Sequence, residues 1–489
     1  MSNRTGWVGM ALSADWMRPS RCVQLIAGRR QGEDGRQETA AGWGVLELGC
    51  WLTLDERAGR SLTRPAVACI VAAMHPRRII RVLAATSLAL AADACAPKVQ
   101  VSTAPASEPP RIVGYLASWG VRSKGTRIAE LPGAQLTHII YAFARIGEDG
   151  RLALGDPCLD TGACDSTGLS RTADGGNFAE LRRLKERHPH LKLLVAAGGW
   201  TGSGRFSDVA LTPESRRTFA QSAVDLVIRR TNGLFDGIDI DWEYPVRGGL
   251  ATNVTRPEDR QNCTLLLQAL RAQLDEQGAR DGRRYLLTIA TIAGPAVFAQ
   301  LELGAVAATV DWLNVMTYDY HSGSKIAHFN APLYTATGDP TPGFTVDSTV
   351  RRYVHGGVSP TKLVIGLPFY GRVYGGVAST NDGLFQPAPG PVPDEWRTGT
   401  DYRAITRRDL ESLGFRRVLH PEARVPFLYN SANGAWITYD DAESVREKAV
   451  YARTHGLGGV MAWELGGDDG TLVRTVYDVF SAVSSRGTK

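Results

Sequence analysis

From Arg111 onward, apolar runs of strand length alternate with stretches in which apolar residues recur every three or four positions. Eight runs read as strands: "RIVGYLA" (111–117), "THIIYAFA" (137–144), "LKLLVAA" (191–197), "FDGIDIDWE" (235–243), "YLLTIATIA" (285–293), "DWLNVMTYD" (311–319), "KLVIGLPFY" (362–370) and "LGGVMAWE" (457–464). Helical patterns separate them, among them "NFAELRRLKERH" from Asn177, "PESRRTFAQSAVDLVIRR" from Pro213 and "EDRQNCTLLLQALRAQLDEQ" from Glu258. Another, "DDAESVREKAVYARTHG" from Asp440, opens with an acidic turn and stops at Gly456, the polarity a helix favours.

Near-continuous apolar strands joined by helices predict a parallel sheet covered on both sides. Eight such units over this length predict an α/β fold, the (β/α)8 TIM barrel. The alternative is an open doubly wound sheet, but no Gly-rich phosphate turn follows the first strand. The interval Arg372 to Trp436 is too long for a loop. Its "DYRAITRRDLESLGF", "VPFLYN" and "AWITYD" read as a small α+β insertion (372–436) between strands seven and eight, beside the end of the barrel where active sites are built.

The segment before Arg111 has a different character. Residues 1–94 contain 12 Arg and no Lys, and "MHPRRIIRVLAATSLALAADAC" (74–95) has a basic head, an apolar stretch and a small-x-small cleavage pattern. Residues 74–94 are therefore expected to be a secretory signal peptide, with translation starting at Met74. Residues 1–73 are then a misassigned start, or else a disordered extension. Secretion into the medium or periplasm follows as an expectation. Cys95 is a candidate lipid anchor, although Asp93 is a poor residue just upstream. Residues 95–110 form a Pro/Ser linker. The leader holds +4 of the formal +5 charge, so nothing in the remainder points to nucleic acid or an anionic membrane. A neutral substrate suits it better.

Cys158 and Cys164, in "CLDTGAC", could close a short disulfide, and their spacing fits no usual zinc pattern. No metal or cofactor is expected. Cys263, inside a helical run, is expected to be a buried free thiol.

The candidate chemistry lies in "FDGIDIDWEYP" (235–245), where four carboxylates interleave with core residues. Side chains two apart on a strand share a face, so Asp239, Asp241 and Glu243 line one side, with Ile240 and Trp242 on the other. By parity Asp236 points away. Three carboxylates in a poorly solvated place cannot all ionise comfortably, so at least one pKa should rise, as a general acid requires. A solvated acidic strand would not carry this apolar face, and a hard-cation site usually draws oxygens from several loops. The same parity puts Met316 and Tyr318 on one face with Asp319 at the rim, and Trp463 near the floor. Gly198 and Gly199 allow close backbone approach before Trp200. Aromatic residues at several strand ends make a surface on which sugar rings stack.

These residues resemble glycoside hydrolase family 18, the chitinases, and in particular the bacterial members with an α+β insertion. The signature D-x-x-D-x-D-x-E is intact at Asp236, Asp239, Asp241 and Glu243. "GYLASWG", "YAFA", "MTYD" and "GGVMAWE" are similar to the family's other motifs, and the likeness covers about 111–480. One position departs: the family's S-x-G-G on strand three is Ala196-Ala197-Gly198-Gly199, which removes a hydroxyl beside the acidic row. The resemblance implies a monomeric enzyme that hydrolyses chitin or chitooligosaccharides by a substrate-assisted, retaining route rather than with two carboxylates. It implies Glu243 as acid and base, and Asp241 orienting the substrate's acetamido group with Asp239 sharing its proton behind. Tyr318 would bond the acetamido oxygen and Asp319 would hold the ring. Trp463 would form the floor, while Trp200 and Tyr244 line the leaving-group side. An endo-β-N-acetylglucosaminidase acting on glycoprotein or peptidoglycan, or a non-catalytic chitin-binding lectin, are the alternatives.

Overall fold

The computed structural model describes residues 109–162, 175–397 and 400–482. The expected leader, signal peptide and all but the end of the linker fall outside them, as does Cys164. Cys158 is held in a disulfide, and Cys263 is free and buried.

The eight expected strands all form: β1 (Arg111–Ala117), β2 (His138–Ile146), β3 (Lys192–Gly198), β4 (Gly237–Asp241), β5 (Leu286–Thr291), β6 (Trp312–Val315), β7 (Leu363–Pro368) and β8 (Gly459–Trp463). Each pairs in parallel with the next, and β1 pairs with both β2 and β8, so the sheet closes on itself. The open-sheet alternative is thereby excluded. Helices between and after the strands cover the outside, including α1 (Gly176–Arg187), α2 (Pro213–Val224), α3 (Asp259–Asp281), α4 (Val346–His355), α5 (Ala442–Thr454) and, after β8, α6 (Thr471–Ser481). Their starts follow local chemistry. Thr212 and Ser215 form a capping box around Pro213 at the head of α2, and Asp441 with Ser444 does the same for α5.

Alternation along the strands separates two cores. Ile238, Ile240 and Trp242 join Leu193, Val195, Leu287 and Ile289 in the layer between sheet and helices. Tyr115, Ile140, Leu194, Ala196, Trp312, Val364 and Met461 fill the barrel interior. Strand β2 breaks this alternation, because its register against β3 slips between Ala142 and Ala144. The irregularity re-aims one side chain, as a bulge does. Phe143, outward by parity, packs instead against the interior cluster.

The insertion is a four-stranded antiparallel sheet of Arg416–Leu419, Pro426–Asn430, Ala435–Thr438 and Arg372–Tyr374, with a short helix Tyr402–Thr406. It runs two residues beyond the expected boundary at 436. Its core also takes in Ala327 and Phe329 from the segment after β6. That segment carries no regular periodicity, which is why its membership is not readable from sequence.

Asp236 leaves the carboxylate row as parity predicts. It is buried on the outer side of β4, where it pairs with Lys185 at 2.5 Å and with Arg283, and accepts the Leu193 N–H at 2.8 Å. Asp236→Ala would strand two cations that both keep some contact with water. The expected loss of stability is therefore about 3 kcal/mol, at the lower end for breaking a buried pair. Denaturant unfolding at neutral pH measures it, and a change under about 1 kcal/mol would show that the pair does not anchor the strand.

Candidate active site

The site is assembled at the C-terminal ends of the strands. Asp239 and Asp241 are the last inward residues of β4, and Glu243 stands two residues past the strand's end, at the mouth. All three are buried, with Glu243 the least so at 9% exposed. The strand is shorter than its hydrophobic pattern suggests, so the position of Glu243 comes from side-chain contacts. Its N–H donates to Ser203 Oγ at 2.8 Å, and its carbonyl accepts from Asn253 Nδ2 at 2.9 Å. Ser203 in turn donates to the Gly199 and Asp241 carbonyls. Gly198 and Gly199 both have positive φ, and a Cβ at Gly198 would collide with the Asp241 carbonyl. This is the close approach expected before Trp200.

Asp239 is fully enclosed and accepts three hydrogen bonds: from Tyr115 Oη at 2.8 Å, from Thr288 Oγ1, and from Asn314 Nδ2 at 3.2 Å. Ala196 lies beside it in register, so the missing β3 hydroxyl does not leave Asp239 without donors. Burial pushes its carboxyl up to about 6, against the pull of these three bonds. Asp241 has an oxygen, Oδ1, with no protein partner. Burial first, then the charges of Glu243 and Asp239, raise its carboxyl well above the ordinary range. Glu243 is pushed up to about 7 by burial; a hydrogen bond from Tyr244 opposes this and the charge of Asp319 adds to it. The row is thus protonated in part near neutral pH.

The rim surrounds these groups. Tyr318 is buried against the interior cluster with Met316, as expected from their shared face, and its hydroxyl reaches Met461 Sδ at 3.9 Å. Asp319 holds a left-handed backbone (φ 57°), its N–H donating to Asn330 Oδ1 at 3.1 Å. Its carboxylate pairs with Arg372 of the insertion at 2.6 Å. Trp463 lies on the interior side, its ring 5.6 Å from Tyr115 and 5.7 Å from Phe143, which stacks in turn at 6.1 Å on the half-exposed Trp119. Tyr244 packs against the interior cluster, while Trp200 stands exposed. Lys124 joins Glu464 at 2.6 Å and Asp401 at 2.9 Å, tying the β1 and β8 ends to the insertion. Among the described residues no group of His, Cys, Asp and Glu side chains gathers as a metal ion would require.

Of the residues singled out from sequence, Asp239, Asp241, Glu243, Met316, Tyr318, Asp319, Trp463, Tyr244 and Trp200 lie in or around this mouth, whereas Asp236 lies on the outer side of β4. The sequence reading missed Tyr115, Thr288, Asn314, Ser203, Arg372, Phe143 and Trp119. Trp119 and Phe143 had a signal, as aromatics at strand ends.

A closed parallel barrel with a partly protonated carboxylate row and stacked rings at its mouth defines a glycoside hydrolase. The family description "Glycosyl hydrolases family 18" fits residues 111–468, so the chain belongs to that family. It is 41% identical over 409 residues to Chitinase A1 of Niallia circulans, covering 76% of this chain and 58% of that protein. Chitinase ChiA74 from Bacillus thuringiensis matches in structure with a TM-score of 0.70 and 35% identity, over 77% of this chain and 70% of that one. A family 18 N-acetylglucosaminidase from Paenibacillus barengoltzii matches with a TM-score of 0.65 and 34% identity, over 76% of this chain and 99% of that one.

Because Glu243 holds its proton to about pH 7 when folded but only to about 4.5 when unfolded, the folded state binds the extra proton in that window. Stability supplied by that site therefore falls as pH rises from about 4.5 to 7. Glu243→Gln removes this penalty. The variant is expected to exceed the parent by up to about 3 kcal/mol at pH 8 and to match it at pH 4. Thermal melts across pH check it, and equal curves for both proteins would contradict a raised carboxyl.

Proposed function

We propose that this protein is a secreted chitinase that cleaves β-1,4 bonds between N-acetylglucosamine units of chitin and chitooligosaccharides, with retention at the anomeric carbon. The observation that carries the proposal is the buried Glu243 carboxyl, pushed up to about 7 by that burial, at a barrel mouth walled by Trp463, Tyr318 and Tyr244. The similarity to proteins named chitinases supports the substrate.

In this reading a sugar stacks on Trp463, and Glu243 gives its proton to the glycosidic oxygen as the C1–O bond breaks. The substrate's own 2-acetamido oxygen attacks C1 and forms an oxazolinium ion. Asp241 accepts the acetamido N–H, the Tyr318 hydroxyl donates to the acetamido oxygen, and Asp319, pinned by Arg372, holds the ring. Glu243, now a carboxylate, takes a proton from water as the water attacks C1. This opens the oxazolinium ring and restores the acid. Trp200, which is exposed, and the partly buried Tyr244 serve the leaving sugar. Export, a lipid anchor at Cys95 and action as a monomer belong to the same proposal, export and the anchor resting on the pattern of residues 74–95.

The similarity to an N-acetylglucosaminidase along almost its whole length favours a second reading, release of single sugars from chain ends. A product profile on chitin oligomers, glycoprotein and peptidoglycan separates the two, and also tests an endo-acting glycoprotein enzyme. Glu243→Gln is expected to lower oligosaccharide release by about 10²- to 10⁴-fold while chitin binding persists. Undiminished hydrolysis in that variant would remove Glu243 as the acid, and absence of hydrolysis in the parent would favour a binding protein.

A further inference from the structure

Strand register sets three side chains abreast inside the barrel: Ala196 on β3, Asp239 on β4 and Thr288 on β5. Ala196 brings no donor. Thr288 Oγ1, on the opposite side, donates to Asp239 Oδ1. The same oxygen accepts from Asn314 Nδ2, and that amide is held in place because Trp312 Nε1 donates to Asn314 Oδ1 at 2.9 Å. Oδ2 accepts from Tyr115 Oη. Both oxygens of Asp239 therefore face donors, whereas Asp241 keeps an oxygen without one. A proton shared between two adjacent carboxyls settles on the one whose charged form has fewer donors.

We infer that Thr288 is a positioning residue: its hydroxyl does for Asp239 what a serine at position 196 would do from the other neighbouring strand, keeping Asp239 the anion and Asp241 the proton carrier. The inference rests on the chemistry proposed above, in which one oxygen of Asp241 accepts the acetamido N–H; a proton carried on its other oxygen leaves that role open. The titratable groups that meet Asp239 are Asp241 on its own strand and Tyr115 on β1, while Glu243 at the mouth and Tyr318 after β6 act on Asp241. Thr288 and Asn314 add neutral donors from β5 and β6. Tyr115 and Tyr318 are buried phenols whose ionisation is pushed well above the ordinary range, so both remain donors across the working pH. Thr288 itself is fully buried behind the row and acts only through Asp239.

Loss of a donor to a carboxylate makes it harder to ionise, so any step that needs ionised Asp239 sets in at higher pH. Thr288→Val keeps the shape and removes the hydroxyl. It is expected to lower kcat about tenfold or more with KM nearly unchanged, and to move the acidic limb of the kcat–pH profile upward. Thr288→Ser is expected to retain the parental profile. The double variant Ala196→Ser with Thr288→Val is expected to bring the limb back, because the donor then arrives from β3. Thr288→Ala compared with Thr288→Ser makes the same test should valine not be accommodated. A carbon-13 carboxyl titration of Asp239 in the unliganded protein reads the hydrogen bond without turnover. It should show a raised midpoint in Thr288→Val.

An unmoved Asp239 midpoint and pH limb in Thr288→Val overturn the inference. So does an equal loss in Thr288→Ser, or a folded double variant that stays shifted. A parent enzyme inactive on chitooligosaccharides would instead defeat the functional proposal, leaving the titration to decide the role of Thr288.

Discussion

Three carboxyl groups within five residues project into a space largely closed to water, and ionising them all there is opposed by both burial and mutual repulsion. Much of the surrounding structure manages that opposition. Donors gather on Asp239, the innermost member, from three different strands. Asp241 is given none on one oxygen, and Glu243 at the mouth is left with a carboxyl that titrates near neutrality. The resulting gradient, from the carboxylate with the most hydrogen-bond donors at the back to the readily exchanged proton at the front, is what acid catalysis on a neutral polymer needs.

The arrangement works only if the row cannot shift. On its other face the same strand buries Ile238 and Ile240 against the helical layer, and Trp242 just beyond it stacks on Phe206 at 5.3 Å. Asp236, one residue before the strand, is locked to Lys185 and Arg283. Beyond the strand, Ser203 and Asn253 take over by holding the N–H and carbonyl of Glu243. Regular hydrogen bonding thus positions two of the three acids, and side chains from loops position the third.

The insertion takes part in the site as well as standing beside it. Arg372, its first residue, pairs with Asp319 at the rim, and Asp401 shares Lys124 with Glu464. Residues after β6 complete the insertion's core, and Asp319 is tied to that segment through Asn330 and to the insertion through Arg372. A rim carboxylate on a left-handed residue is held where an ordinary loop would leave it mobile.

Sequence by itself determined the barrel, because buried parallel strands are continuous apolar runs and helices repeat every 3.6 residues. It also determined the inward set of Asp239, Asp241 and Glu243, since alternation along a strand is a local property, and the same rule sent Asp236 outward. The same parity picked out Tyr318, Asp319 and Trp463, and the family resemblance implied their roles. What only the tertiary structure decided are the partners that reach the row from elsewhere in the chain. Tyr115 and Thr288 meet Asp239 across 124 and 49 residues, in register relations fixed by barrel closure. Phe143 faces inward only because β2 slips register, against its parity. Such contacts are set by how strands align in space, and a single chain's pattern of polar and apolar positions does not encode that alignment.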